Sequence, residues 1–206
     1  MTQLIIDTSS EDSLVALLSK GKIIASCTRA HANQLSRTLM PDIESVLQEK
    51  QISLDAVTSI AVGIGPGSYT GTRVGVAVAR TLSYARALPL VNFCSLLAFL
   101  PGDFGSFACV MPSRTGDFFL LKGDSQNNYF TIDTSELVPL CTLTTSLVNI
   151  ETLIAKPLEQ MQRTLPLPWR LPRPTFESIA KFLTISVQDS YIQNPHETNL
   201  IYLHAP

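Results

Sequence analysis

The sequence predicts an α/β fold in two subdomains. Three observations carry this reading: an opening series of short apolar runs separated by turn residues, a strand that enters a glycine-rich loop and a helix at 59–86, and another strand at 90–93. Strand, helix, strand, helix, strand in that order implies a βαβ-type layer added to antiparallel hairpins. With 206 residues the chain is long enough for one or two compact units.

Gln3–Asp7, Leu14–Ser19 and Ile23–Arg29 read as three strands of an antiparallel meander, with Ser19-Lys20-Gly21-Lys22 as the second turn. The first bend is Asp7-Thr8-Ser9-Ser10. An amphipathic helix is expected over 31–50, with Leu35, Leu39, Ile43, Val46 and Leu47 at helical spacing. Pro41 should kink or divide it after Leu39–Met40, and Asp42 and Glu44 would suit the start of the second part. Strands follow at 58–62 and 90–93, and Ser95 caps a short helix over 96–100. Pro101-Gly102 ends that helix, which places a subdomain boundary at 102: an N-terminal subdomain 1–102 and a smaller, shortened C-terminal subdomain 103–206.

In the second half, 107–111, 117–121 and 129–132 read as strands. The stretch 133–174 fits helix and strand about equally at Leu137–Leu143 and Ser146–Ile154. Pro166, Pro168, Pro172 and Pro174 around Trp169 favour an extended, packed connector. Thr175 then caps a helix carrying Phe176, Ile179, Leu183 and Val187 on one face.

The stretch from Val62 to Arg86, VGIGPGSYTGTRVGVAVARTLSYAR, organises the rest. Gly63, Gly65 and Gly67 permit a tight turn and a close approach of another surface. Ser68 or Thr70 can cap the helix that follows. On this helix Val74, Val78 and Leu82 form one apolar stripe, Gly71, Gly75 and Ala79 form a second stripe of small residues, and Val76 and Ala77 widen the apolar cover. Such a helix is expected to be covered on nearly all sides. Two readings stand: a central core helix within one domain, or a helix whose small face admits a partner's backbone. On the second reading Gly75→Arg should leave the fold intact and abolish pairing.

Hydrophobic residues make up 45% of the chain and charged residues 16%, with a formal net charge of −2. A general electrostatic grip on nucleic acid is not supported. Met1 leads directly into a strand with no basic and apolar leader, and no run reaches the ~18–20 apolar residues of a membrane span. Cys27, Cys94, Cys109 and Cys141 are scattered, which fits buried thiols in a reducing cytoplasm better than a disulfide frame or zinc site.

Gly63–Arg73, GIGPGSYTGTR, resembles the G-x-G-P-G-S-[FY]-T-G-x-R signature of the TsaB (YeaZ) family, carried here by Gly63, Gly65, Pro66, Gly67, Ser68, Tyr69, Thr70, Gly71 and Arg73. HANQLSRTLMP, 31–41, is similar to that family's H-s-x-x-L-x-x-x-[IL]-x-P, and the closing Leu200-Ile201-Tyr202-Leu203-His204 to its P-x-Y-L-R. The loop at 112–119 fits the family frame D-A-R-r-G-E-V-Y at Ser113, Arg114, Gly116 and Asp117. Pro112 stands where the acid usually is and Phe119 where the tyrosine is, which puts any activity that needs the acid in doubt.

The resemblance implies an actin-like, sugar-kinase-like (ASKHA, ribonuclease H-like) fold. It implies a non-catalytic subunit that pairs with a TsaD-type paralogue as a heterodimer. With a TsaE-type ATPase, that pair supports formation of the threonylcarbamoyl group on N6 of the adenosine beside the anticodon in tRNA. Partner contacts are then expected from Gly71, Val74, Gly75, Val78, Ala79 and Leu82, beside Leu35 and Leu39, with self-association through the same surface when alone. No catalytic residue, metal ligand or cofactor of its own is implied; ATP and Mg belong to the level of the complex, tRNA is met through the complex, and the place of action is cytoplasmic, without a membrane.

Two other functions compete. An actin-like ATPase or kinase would use Asp7, Thr8 and Ser9 toward metal and phosphate, as the resemblance permits; the alternative is a polar turn whose side chains satisfy local N–H groups. GPGSYTG is not followed by the Gly-Lys-Ser/Thr of a Walker loop. A glycoprotease-like peptidase would need metal ligands, and His31 is followed by Leu35 where TsaD-type relatives repeat histidine.

Overall fold

The structure is a computed structural model that describes residues 1–30, 34–100, 105–113, 116–126, 129–155, 169–170 and 174–186. Their contacts group into two compact units. The first holds Met1–Leu97 and the last helix from Phe182; the second begins at Ala98 and runs to Lys181. The boundary expected at 102 lies in 101–104, outside the described residues.

The first unit is a five-stranded sheet in the order β3-β2-β1-β4-β5. β1 (Thr2–Asp7), β2 (Asp12–Ser19) and β3 (Lys22–Ala30) form the antiparallel meander. β4 (Ser59–Gly63) lies parallel to β1, and β5 (Leu90–Phe93) parallel to β4. α1 (Leu35–Glu49) connects β3 to β4, and α2 (Tyr69–Arg86) connects β4 to β5. Strand alternation sends Leu4, Ile6, Ile60, Val62 and Leu90 to one face. They form one core there with Leu35, Leu39, Ile43 and Val46 of α1 and with Val76 and Ala79 of α2. Leu4, Ile6, Ile60 and Val62 are fully buried.

α1 differs from expectation at both its start and its middle. It begins at Leu35, and His31 lies outside the described residues. It runs through Pro41 as one helix. Pro41 is exposed, so the carbonyl of Arg37 that loses its helical donor can be solvated there. Asp42 does not serve the helix dipole: it is buried, and Arg29 of β3 donates from Nε to its Oδ1 at 2.7 Å.

The second unit is another mixed sheet, ordered β10-β9-β6-β7-β8. β6 (Gly105–Pro112), β7 (Phe118–Gln126) and β8 (Tyr129–Val138) are antiparallel neighbours; β9 (Thr152–Ala155) runs parallel to β6, and β10 is Trp169–Arg170. All three hairpin strands are longer than their apolar runs suggest, because ladder bonds continue through polar residues such as Lys122, Asp124 and Ser125. α3 (Leu140–Ser146) sets Leu143 on the core of Val110, Leu120 and Leu153. α4 (Glu177–Ser186) follows Thr175 as expected. Arg114 lies outside the described residues, as do the proline-rich 156–168 and the closing 187–206.

Candidate functional site

The C-terminal ends of β1, β4 and β5 lie side by side. Ile6 pairs with Val62 and Gly63 with Phe93, so Asp7, Gly63 and the Ser95 turn meet at one edge. In open sheets of this kind the crevice beyond the carboxyl ends of the strands is where ligands bind. Here the chain fills much of that place with its own backbone.

Asp7 accepts hydrogen bonds at Oδ1 from the Ser9 amide at 2.9 Å and the Ser95 hydroxyl at 3.2 Å. The same Ser95 Oγ accepts from the Gly65 amide at 3.0 Å, and the Ser95 amide donates to the Gly65 carbonyl at 2.7 Å. The Thr8 hydroxyl donates to the Gly71 carbonyl at 2.7 Å, and the Ser68 amide donates to the Ser9 carbonyl at 2.6 Å. Asp7, Thr8 and Ser9 are 2%, 1% and 5% exposed, and these bonds hold the bend to the loop and helix. Burial pushes the Asp7 carboxyl up to about 6, against the opposing pull of the hydrogen bonds from Ser9 and Ser95.

The glycines explain how the loop comes so close. They recur every four residues at 63, 67, 71 and 75. A Cβ at Gly63 would overlap the Asp7 carboxyl, at Gly67 the Ser9 carbonyl, at Gly71 the Thr8 carbonyl and at Gly75 the Thr8 hydroxyl. Gly65 has φ +93° and precedes Pro66 through a cis peptide bond, which turns the chain from β4 toward α2. Ser68 is the cap of α2 and accepts from the Gly71 amide at 3.2 Å.

This geometry corrects the expected docking face. Gly71, Gly75 and Ala79 pack inward on the chain's own first bend and core, because only residues without side-chain bulk fit over Thr8. Leu35 and Leu39 are 6% and 1% exposed and belong to the core. Val74, Val78 and Leu82 are half-buried and pack against that core from its rim. Gly75→Arg would therefore break the fold rather than test pairing. The repeat of four that begins at Gly63, ahead of the helix, was the available signal: a spacing that spans both loop and helix points to one surface in the same chain.

The outward face of α2 is a different set of residues: Thr70, Arg73, Ala77, Thr81 and Tyr84 are exposed, with Val74 and Val78 along one margin. Tyr69 and Tyr84 are 45% and 77% exposed. Arg73 lies over the Tyr69 ring, 3.9 Å from its centroid. α2 carries Arg73, Arg80 and Arg86 and no acidic residue. Beyond its end a recess of about 410 Å³ is lined by Tyr84, Leu54, Leu88 and the Arg86–Asp55 ion pair.

The remaining expectations fall as follows. Pro112 closes β6, and the Ser113 amide donates to the Asp117 carbonyl at 2.8 Å across the loop. All four cysteines are thiols; Cys109 is buried, Cys27 and Cys94 are half-buried, and Cys141 is exposed, so burial holds in full only for Cys109. Among the described residues no three metal-ligating side chains cluster, and no helix is long and apolar enough to cross a membrane.

Residues 25–122 match the family described as TsaD: tRNA N6-adenosine threonylcarbamoyltransferase. The chain is 34% identical to a tRNA threonylcarbamoyladenosine biosynthesis protein TsaB of Haemophilus influenzae over 109 residues, which are 50% of this chain and 44% of that protein. It is 36% identical to the Bacillus subtilis TsaB over 96 residues, 47% of this chain and 42% of that one. These matches thus span less than half the length of the curated relatives. In structure, YeaZ from Pseudomonas aeruginosa superimposes with a TM-score of 0.82 at 19% identity, over 98% of this chain and 99% of that one. A second Pseudomonas aeruginosa structure, of a protein with similarity to peptidase YeaZ, gives 0.84 at 20% identity over the same shares.

In sequence the chain is similar to TsaB proteins over about half of its length, and in fold it is similar to YeaZ over nearly all of it. The YeaZ likeness makes the fold α/β and actin-like, with two subdomains. Within the TsaB signature, Gly63, Gly65, Pro66, Gly67 and Gly71 shape the loop and its seat on the first bend, whereas Ser68, Tyr69, Thr70 and Arg73 reach the surface.

Proposed function

We propose that this chain is a non-catalytic, cytoplasmic subunit in the formation of N6-threonylcarbamoyladenosine in tRNA. It acts by pairing with a TsaD-type paralogue, and a TsaE-type ATPase joins them. The observation that carries this reading is the division of labour in the signature stretch. Its glycines are spent inside the chain, on Asp7, Thr8 and Ser9, while Tyr69, Arg73, Ala77 and Tyr84 of α2 face outward. Exposed tyrosine and arginine beside half-buried valines is the composition of a protein interface rather than of a reaction centre.

The nucleotide reading is the weaker one. Asp7, Thr8 and Ser9 are the residues it would use, and their hydrogen bonds run to Ser95, Gly71 and Ser68 of the same chain. ATP and Mg then belong to the assembled complex. The test is reconstitution with the TsaD-type and TsaE-type proteins of the same genome, read by nucleoside mass spectrometry of the tRNA. Threonylcarbamoyladenosine that forms only when this chain is added supports the proposal; equal formation without it refutes the role.

A further inference from the structure

Three ionisable groups meet where β3 packs on α1, and the proposed pairing uses none of them. Cys27 and Arg29 are two residues apart on β3, so strand alternation sends both to the α1 side of the sheet. Asp42 of α1 meets them there. It is buried, and its Oδ1 accepts from Arg29 Nε at 2.7 Å. Its other oxygen, Oδ2, is buried too and accepts no hydrogen bond from the described residues. Cys27 is half-buried against the same core, with Val15 of β2 opposite it in the register. Burial pushes its thiol up, the Asp42 carboxylate adds to that rise, and the Arg29 guanidinium opposes it.

We propose that Asp42 silences Cys27, and that Cys27 becomes a modification site for thiol-directed electrophiles when the Arg29–Asp42 contact opens. Asp42 acts in two ways. Oδ2 has no donor to shield it, so a thiolate beside it meets a like charge. Oδ1 claims the guanidinium that would otherwise stabilise that thiolate. Arg29 is thus a cation held in reserve: a cysteine beside a free guanidinium is an activated nucleophile, whereas one beside an engaged ion pair stays a thiol. While α1 lies on β3 the reserve is locked. The reaction with a probe such as iodoacetamide is an S-alkylation. The thiolate sulfur displaces iodide, a C–S bond replaces the C–I bond, and the thiol proton goes to solvent.

The test is iodoacetamide labelling of the whole chain between about pH 6 and about pH 10, read at the Cys27 peptide by mass spectrometry. Wild type is compared with Asp42→Asn and with Asp42→Asn/Arg29→Gln, each shown to be folded by circular dichroism. Asp42→Asn keeps the size of the side chain, removes the carboxylate and frees Arg29. Labelling of Cys27 at neutral pH should rise about fivefold, because the gain in thiolate outweighs the loss of nucleophilicity. The pH of half-maximal rate should fall. Adding Arg29→Gln should take back most of the gain, which loosened packing would not do. An Asp42→Asn rate equal to wild type would mean that burial alone silences Cys27. A double variant as fast as the single one would mean that α1 had loosened. Either result overturns the proposal. Wild type carries an arm of its own, which stands even if Asp42→Asn does not fold. Its Cys27 should label about tenfold more slowly at neutral pH than the exposed Cys141, with a higher pH of half-maximal rate. Matching profiles for the two cysteines would overturn it equally.

Discussion

The Thr8 hydroxyl donates to the Gly71 carbonyl at 2.7 Å, joining positions 63 residues apart in the chain. One turn further along α2, Gly75 leaves just the space that this hydroxyl occupies. The first bend of the sheet and the start of α2 are therefore one packed unit.

Gly75→Ala should destabilise the fold by about 1–3 kcal/mol, because its methyl group must displace the Thr8 hydroxyl. Thr8→Ala removes that hydroxyl and should cost about 1 kcal/mol for the lost bond to Gly71. The double variant should be more stable than the sum of the two losses allows, since the new methyl group then has room. Urea unfolding of the four proteins measures this coupling; strict additivity would mean that Gly75 does not seat on Thr8.

The Asp7 carboxyl is raised from 3.8 to about 6 by burial. A raised carboxylate favours folding in its protonated form, so its contribution is complete below about pH 3.8 and is lost as pH rises through about 6. The difference corresponds to about 3 kcal/mol at about 1.4 kcal/mol for each pH unit. Asp7→Asn keeps an oxygen for Ser9 and Ser95 and has no proton to lose. Its stability relative to wild type should therefore rise between pH 4 and pH 7, and a flat difference across that range would contradict the buried, charged carboxylate.

Arg29 is half-exposed, yet its partner Asp42 is fully buried, with Oδ2 finding no hydrogen-bond partner within the described residues. Arg29→Ala should therefore cost more than breaking an ordinary surface ion pair, since it strands a buried carboxylate. Adding Asp42→Leu should recover most of that loss. Thermal denaturation of the single and double variants reads both effects, and a neutral Arg29→Ala would show that water reaches Asp42.

Ala77→Glu replaces an exposed residue in the middle of the outward face of α2, between Arg73 and Arg80. Stability should change by no more than about 0.5 kcal/mol, because helical neighbours three and four residues away carry the opposite charge. Pairing with the TsaD-type protein should nonetheless be lost, as bulk and negative charge enter the contact. Titration calorimetry against that protein separates the two effects.

Local chemistry made much of the first unit legible. Short apolar runs bounded by turn residues defined β1, β2 and β3, and Leu35, Leu39, Ile43 and Val46 at helical spacing defined α1. The signature loop and its Ser68 cap were readable for the same reason. What could not be read was direction. Small residues at Gly71, Gly75 and Ala79 announce a close contact, but not whether the neighbour is a partner or the chain's own Thr8, 63 residues before Gly71. Pro41 does not divide α1, because the bond it removes lies on the exposed side of the helix, where water can replace it. Asp42 misled because its partner, Arg29, comes from a different element, strand β3. The length of β8 beyond Ile132 and the strand β9 escaped because their partners, not their own sequences, decide that they are strands.

The measurement that bears most directly on the central claim is light scattering after size exclusion. The chain would be run alone, mixed with the TsaD-type protein of the same genome, and mixed again as the Ala77→Glu variant. A mixed species with the mass of one copy of each, formed by wild type and absent for the variant, is the expected result. No mixed species with wild type, or one that the variant forms equally well, would contradict pairing through the outward face of α2.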